Sequence, residues 1–293
     1  MSFYIVTDSA SDIPVSLIDK WGISVCRLTA HFNGRSYEDS YDEVPMHEFF
    51  ESLKNGATSS TSQVNANQFE EVFREKLKDH DKILYIGFSQ VLSGTYQSAT
   101  IAKQTMVDED PSFNDRIILI DTHSASLGIG LLVQDAVEMR DAGKTADETA
   151  EFIENEKLKV NHWFTVDDLN HLKRGGRVSS LQATVGSILG IKPILNINDE
   201  GRLVNVGKAK GRKKAITTLY EMFKQKAYPG TKRINISHGD CEADAIALRD
   251  MVMNDSDVVE CTISPIGMVI GSHAGPGTLA LFFKGENREN FKL

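Results

Sequence analysis

In the first half of the chain, short apolar runs alternate with segments whose apolar residues recur at helical spacing. Residues 3–7, 23–28, 83–87 and 117–120 are predicted strands, and helices are predicted at about 94–106 and 127–142. Strands that alternate with helices are typical of a mostly parallel sheet with helices on both faces. This half is therefore predicted to be an α/β domain.

After about residue 160 the predicted strands lie closer together, with fewer helices between them. They fall at residues 161–166, 192–196, 203–208, 233–237, 258–263 and 279–283, with predicted helices at 181–189 and 243–253. Asn198-Asp199-Glu200-Gly201 is a good hairpin turn between two of these strands. We therefore predict two domains, an N-terminal α/β domain over 1–160 and an α+β domain with antiparallel strands over 161–293.

The charge and the cysteines limit the classes of partner and compartment. A net charge of -9 argues against nucleic acid, because phosphate binding needs a surplus of Lys and Arg. Cys26, Cys241 and Cys261 are scattered and odd in number, which indicates neither a disulfide framework nor a zinc site. The N-terminus resembles a strand rather than a signal peptide, and no apolar run approaches the ~20 residues of a spanning helix. We expect a protein of the reducing cytoplasm.

Two hydroxyl-rich segments are the candidate ligand site. Thr58-Ser59-Ser60-Thr61-Ser62-Gln63 is one, and Ser89-Gln90-Val91-Leu92-Ser93-Gly94-Thr95, which follows a predicted buried strand, is the other. Short polar side chains between a strand and a helix suit a small anionic group. The alternatives are a flexible solvated loop for the first segment and, for the second, a simple cap by Ser93 on a helix that begins at Gly94.

Catalysis has weaker support from the sequence. Gly87-Phe88-Ser89-Gln90-Val91 lacks the second glycine of a nucleophile elbow, and Gly128-Ile129-Gly130 lacks the third glycine of a dinucleotide motif. His273 lies in a predicted glycine-rich turn. A hydrolase that uses Ser93 with His273 is the alternative function.

Seven segments stand out in order over about residues 3–283. They are Val6-Thr7-Asp8-Ser9-Ala10-Ser11-Asp12, Thr61-Ser62-Gln63, Ser93-Gly94-Thr95, Asp121-Thr122, Leu172-Lys173-Arg174-Gly175-Gly176-Arg177, Lys192-Pro193 and His273-Ala274-Gly275-Pro276-Gly277. Together they resemble one family of bacterial fatty-acid-binding proteins, the DegV family. One departure is Val64, where proline is expected after Gln63. The resemblance implies two α/β domains with a long-chain fatty acid between them and no other cofactor.

The resemblance also implies roles for residues and partners. Thr61 and Ser93 are expected to hydrogen-bond the carboxylate, His273 to lie at the mouth of the site, and Ser62, Gly94 and Thr95 to complete the ligand-binding set. Arg174, Arg177 and Arg202 are expected to face a partner or its phosphates. The implied partner is an ATP-dependent kinase subunit that phosphorylates the bound acid, so the chain is not catalytic alone. An acyltransferase and transient membrane contact are further expected interactions, and a lipid-binding protein without a kinase is the remaining alternative.

Overall fold

The computed structural model describes residues 2–178 and 190–288. The predicted helix at 181–189 lies outside these residues. The described strands are β1 (Phe3–Asp8), β2 (Ser24–Cys26), β3 (Thr29–Phe32), β4 (Arg35–Glu38), β5 (Ser59–Ser62), β6 (Lys82–Gly87), β7 (Ile117–Asp121), β8 (Val160–Thr165), β9 (Ile191–Ile197), β10 (Leu203–Lys210), β11 (Arg233–His238), β12 (Glu260–Pro265) and β13 (Leu279–Lys284).

Helices follow most of these strands. In the described residues they are α1 (Val15–Trp21), α2 (Met46–Lys54), α3 (Ala66–Lys76), α4 (Thr95–Glu109), α5 (Phe113–Arg116), α6 (Leu127–Asp141), α7 (Ala146–Glu156), α8 (Asn170–Arg174), α9 (Arg212–Lys226), α10 (Glu242–Asn254) and α11 (Met268–Ala274), with 3-10 turns at Ser9–Ser11 and Lys157–Lys159.

The first sheet is parallel throughout and has the strand order β2-β1-β6-β7. The second sheet has the order β10-β9-β8-β13-β11-β12 and is mixed: β11 and β12 are parallel, and the other neighbours are antiparallel. The predicted hairpin is confirmed, since β9 and β10 pair around the turn at residues 198–201. The α/β class, with a parallel sheet followed by a mixed one, is as predicted.

A third, smaller sheet was not predicted. It has the order β4-β3-β5 and is antiparallel. Asn33 and Gly34, both with positive φ, form the tight turn between β3 and β4. The hydroxyl run at Ser59–Ser62 is β5, so the alternative of a solvated loop is wrong. Its residues alternate between half-buried and exposed, which gives Thr61 an inward position.

Two apolar cores hold these sheets. One surrounds the first sheet and extends to α11 and to Phe282 of β13. The other lies between the second sheet and the helices α9 and α10, with Trp163 fully buried in it. Because the first core includes α11, a helix late in the chain packs with the N-terminal sheet. The predicted ligand residues lie beside that helix.

Candidate functional site

A cavity of about 380 Å³ lies at the carboxyl ends of the first sheet, enclosed by this sheet, the second sheet and α11. Its lining is mostly apolar, from Leu28, Phe88, Leu92, Ala125, Phe164, Leu172, Ile197, Leu203, Ile266, Val269, Ile270, Ala274, Ala280 and Phe282. Polar lining comes from Thr61, Ser62, Gln63, Ser93, Gly94, Ser126, His162, Arg177, Ser237, His273 and Thr278. An apolar cavity with a few polar groups is the usual form of a small-molecule site, for which volumes of about 300–1,000 Å³ are typical.

Thr61 and His273 form the central polar pair of the cavity. Thr61 Oγ1 lies 2.8 Å from His273 Nε2 and shares a hydrogen bond with it. The other ring nitrogen, Nδ1, is buried and has no hydrogen-bond partner among the residues that the structure describes. Burial, with a smaller contribution from the charge of Arg177, lowers the pKa of His273 to about 4. The imidazole is therefore neutral near pH 7.

His273 differs in one respect from the sequence prediction. It lies in the last turn of α11 rather than in a glycine-rich turn, which begins only at Gly275. Gly275 and Gly277 have φ values of 80° and 73°, a left-handed conformation that favours glycine. Gly275 caps the helix after Ala274, and His273 in the last turn has the direction of its ring fixed by the helix.

Ser93, Gly94 and Thr95 lie at the start of α4 beside β5. Ser93 Oγ is 2.9 Å from Thr95 Oγ1 and accepts a long hydrogen bond of 3.3 Å from the Thr95 amide. The helix begins at Thr95 with Gly94 as its N-cap, so Ser93 contributes to this turn and also lines the cavity. Thr95 is fully buried and lies behind Ser93.

Gln63 joins the two hydroxyl segments, a role that the sequence did not reveal. Its amide nitrogen donates to Gly94 O at 3.2 Å and to Ser98 Oγ at 2.8 Å. A Cβ at position 94 would overlap the Gln63 side chain, so glycine is what allows β5 to approach α4 this closely. Ser62, also predicted as a ligand residue, lines the cavity, and its Oγ is 2.7 Å from His31 Nε2.

The three predicted basic residues are not all in one place. Arg177 lines the cavity and donates to Leu92 O at 3.1 Å. Arg174 and Arg177 both line a smaller cleft of about 250 Å³, which shares Thr61 and His273 with the cavity. Arg202 lines neither space; it is exposed in the β9–β10 turn and pairs with Glu200 at 3.1 Å.

The hydrogen bonds do not assemble the catalytic pair of the hydrolase alternative. Among the described residues His273 bonds to Thr61, and Ser93 bonds to Thr95. A nucleophilic serine needs a base within hydrogen-bond reach, and that base needs an orienting group. No carboxylate of the described chain bonds to His273 Nδ1. This arrangement suits the holding of a ligand better than hydrolysis.

Two buried carboxylates hold the start of α11. Asp12 Oδ1 accepts from the Gly267 amide at 2.8 Å, and Asp39 Oδ1 accepts from the Val269 amide at 3.2 Å. Burial raises the pKa of Asp12, and it raises the pKa of Asp39 to about 6. The helix that carries His273 is thus attached to side chains from the beginning of the chain.

His162 and Ser126 are further lining residues that the sequence analysis missed. His162 is 1 % exposed, and burial lowers the pKa of its ring well below the usual value. Ser126 follows the end of β7 by a few residues, so a polar residue after a third parallel strand was the available signal.

No helix of the described residues is long and apolar enough to cross a membrane.

Comparison with known proteins places this chain among related sequences and structures. The model of the family described as "Uncharacterised protein, DegV family" matches residues 2–286. A DegV domain-containing protein of Clostridium perfringens is 44% identical over 289 residues, which cover 98% of this chain and 99% of that protein.

Solved structures of DegV family proteins are also similar to this chain. A fatty-acid-binding DegV family protein from Thermus thermophilus is similar, with a TM-score of 0.88 and 34% identity over 98% of this chain and 100% of that one. The Fak (fatty acid kinase) B3 protein of Streptococcus pneumoniae, solved with linoleic acid, has a TM-score of 0.83 at 21% identity, over 98% of this chain and 100% of that one. At 21% identity this similarity shows a shared fold only.

Proposed function

This chain belongs to the DegV family, and on that premise we propose that it binds a long-chain fatty acid in the cavity, with the carboxylate at Thr61 and Ser93. The observation that carries the proposal is the position of Thr61, at the junction of an apolar cavity and a basic cleft. The Thermus relative is described as binding fatty acid, which supports the same class of ligand.

The physical chemistry of such a ligand fits this lining. About fifteen buried methylenes contribute roughly 12 kcal/mol before the costs of association. A carboxylate is expensive to bury unless it accepts hydrogen bonds, and each bond from a hydroxyl to a charged group contributes about 1.5–3 kcal/mol. The apolar tail therefore determines most of the affinity, and the hydroxyls determine the orientation.

Neutral His273 supplies the hydrogen-bond polarity that this role needs. With its single ring proton on Nε2, His273 donates to Thr61 Oγ1 and leaves the Thr61 O–H free to donate to a carboxylate. With the proton on Nδ1, Thr61 must donate to the ring and offers only lone pairs, which a carboxylate repels. A bound fatty acid thus selects the Nε2-protonated ring.

The cleft supports the second half of the proposal, that an ATP-dependent kinase subunit reaches the bound carboxylate there. Arg174 and Arg177 line this opening beside Thr61 and can attract the phosphates of a nucleotide.

Arg202 lies in a different turn and stays a predicted partner contact. An acyltransferase partner, membrane contact and the domain boundary at 160 also stay predictions. The three unpaired cysteines favour a reducing compartment.

Mass spectrometry of lipid extracted from the purified chain tests the binding proposal. We expect a long-chain acid in near-stoichiometric amount, and its absence, together with no binding of added octadecanoic acid, would refute the proposal. The kinase half is tested separately, by adding ATP and a fatty acid kinase subunit to the loaded protein. Acyl phosphate should form only with both proteins present. If none forms although acid is bound, a lipid-binding protein without a kinase is the correct description.

A further inference from the structure

Inside the cavity a second polar group interrupts the apolar lining. Ser126 and Ser237 line the cavity but not the basic cleft, so they face its interior. Their Oγ atoms are 2.8 Å apart, and Ser126 Oγ also hydrogen-bonds Asp12 Oδ2. The side chains come from the start of α6, from β11 and from the segment after β1. We call Asp12, Ser126 and Ser237 the interior polar cluster.

The cluster is buried, and the Ser237 hydroxyl keeps hydrogen-bonding capacity beyond its bond to Ser126. Ser237 is 0 % exposed and Ser126 5 %. Among the described residues, Ser126 is the hydrogen-bond partner of the Ser237 hydroxyl, which leaves the remaining capacity of Ser237 for the cavity. A ligand hydroxyl buried beside Ser237 would find a partner, whereas a hydroxyl buried against the apolar lining would lose its hydrogen bonds to water without compensation.

The backbone at Ser126 provides a second, independent observation. Ser126 has φ 53° and ψ -147°, a conformation that is almost confined to glycine. Strained non-glycine residues of this kind cluster at ligand-binding sites, where the surrounding structure holds a side chain in a required direction. Here the strain holds the Ser126 hydroxyl between Asp12 and Ser237.

His162 adds an acceptor in the same region. Its Nδ1 lies 3.0 Å from Val160 O and so carries the proton of the neutral ring, which leaves a lone pair on Nε2. The Ala125 amide approaches Nε2 only at the limiting distance of 3.5 Å. Because Ala125 precedes Ser126, this acceptor lies close to the interior polar cluster.

We propose, building on the function proposed above, that the interior polar cluster binds a hydroxyl group on the alkyl chain of the ligand, so that the cavity selects hydroxylated long-chain fatty acids over plain ones. The polarity of the cluster favours a hydroxyl over a ketone. When Asp12 is ionised, Ser126 donates to it, Ser237 donates to Ser126, and Ser237 faces the cavity as an acceptor. When Asp12 is protonated on Oδ2, the order reverses and Ser237 faces the cavity as a donor. A ligand hydroxyl fits both orders, whereas a ketone fits only the second.

The experiment measures dissociation constants for octadecanoic acid and for a series of hydroxyoctadecanoic acids with the hydroxyl at successive positions, by displacement of a fluorescent fatty acid. A hydroxyl that misses the cluster should weaken binding by on the order of tenfold, since its desolvation is not compensated. At one position, or two adjacent ones, the acid should instead bind more tightly than octadecanoic acid. In Ser237→Ala that advantage should disappear, so the same hydroxy acid should bind no more tightly than octadecanoic acid does in this variant.

The matched control is Ser264→Ala, since Ser264 is a buried serine that pairs with Ser237 on β12 but does not line the cavity. It should leave the position dependence unchanged. The proposal is overturned if no hydroxy acid binds the wild-type protein more tightly than octadecanoic acid, or if the favoured position survives in Ser237→Ala. The wild-type series decides the question even if a variant fails to fold. Failure of every acid in the series to bind would instead refute the proposed function.

Discussion

Replacement of Thr61 by valine is the sharpest perturbation of the proposed site. Valine keeps the shape and the β-branched stem of threonine, so it suits β5 as well as the native residue does. What it removes is the hydroxyl, together with the 2.8 Å hydrogen bond to His273 Nε2. The change thus separates polarity from packing.

Two losses are expected from this substitution. The ligand carboxylate loses one hydrogen bond of about 1.5–3 kcal/mol, which weakens binding by roughly ten- to 150-fold. The half-buried ring of His273 loses its partner on Nε2, and Nδ1 already has none within residues 2–178 and 190–288. The free energy of unfolding should therefore fall by about 1–3 kcal/mol without ligand.

Isothermal titration with octadecanoic acid measures the first loss, and urea denaturation of the lipid-free protein measures the second. Thr100→Val is the matched control, because Thr100 is an exposed threonine of α4 that lines neither the cavity nor the cleft. It should change neither quantity. If the dissociation constant of Thr61→Val for the acid is within twofold of the wild-type value, the carboxylate does not accept a hydrogen bond from this hydroxyl.

Further predictions concern a carboxylate, a glycine and an arginine. Burial raises the pKa of Asp39 from 3.8 to about 6, so the unfolded state loses this proton at lower pH than the folded state does, and the free energy of unfolding should fall by about 3 kcal/mol as pH rises from about 4 to 6. Denaturation across that range should show a weaker dependence of this free energy on pH for Asp39→Asn. The same dependence in the variant and the wild type would contradict the assignment. Gly94→Ala should displace the Gln63 side chain, whose two hydrogen bonds would be lost, and lower the free energy of unfolding by about 1–3 kcal/mol. Denaturant unfolding measures this loss, and a variant as stable as the wild type would contradict the prediction. Arg177→Gln should raise the pKa of His273 above its value of about 4, because one positive charge near the ring is removed; an unchanged NMR titration would show that burial alone sets the value.

Much of the fold could be predicted from the sequence because its signals are local. The strands β1, β6 and β7 are apolar runs, and the β9–β10 hairpin has its turn residues in place. The small third sheet was missed although Asn33-Gly34 is a good turn signal, since its flanking strands carry few apolar residues. Polar composition suggested a loop for β5, but pairing with β3 overrides that preference.

The site was harder to predict because its contacts join distant parts of the chain. The hydroxyl segments were recognised, yet the bond from Thr61 to His273 spans 212 residues and has no local signal. Gln63 and Ser126 were not selected, because their roles depend on which segments come to lie beside them. The buried position of His162 likewise follows from its place in the second sheet, where it packs edge-on against Phe282.

The attachment of α11 to Asp12 has a consequence for biosynthesis. The bond from Gly267 to Asp12 joins residues 255 positions apart, so the wall that carries His273 closes only when nearly the whole chain has left the ribosome. A nascent chain that stops before α11 has an open trough lined by Leu28, Phe88 and Leu92 in place of a closed chamber. Closure of this wall is therefore a late event in synthesis, and chains truncated before α11 should be aggregation-prone.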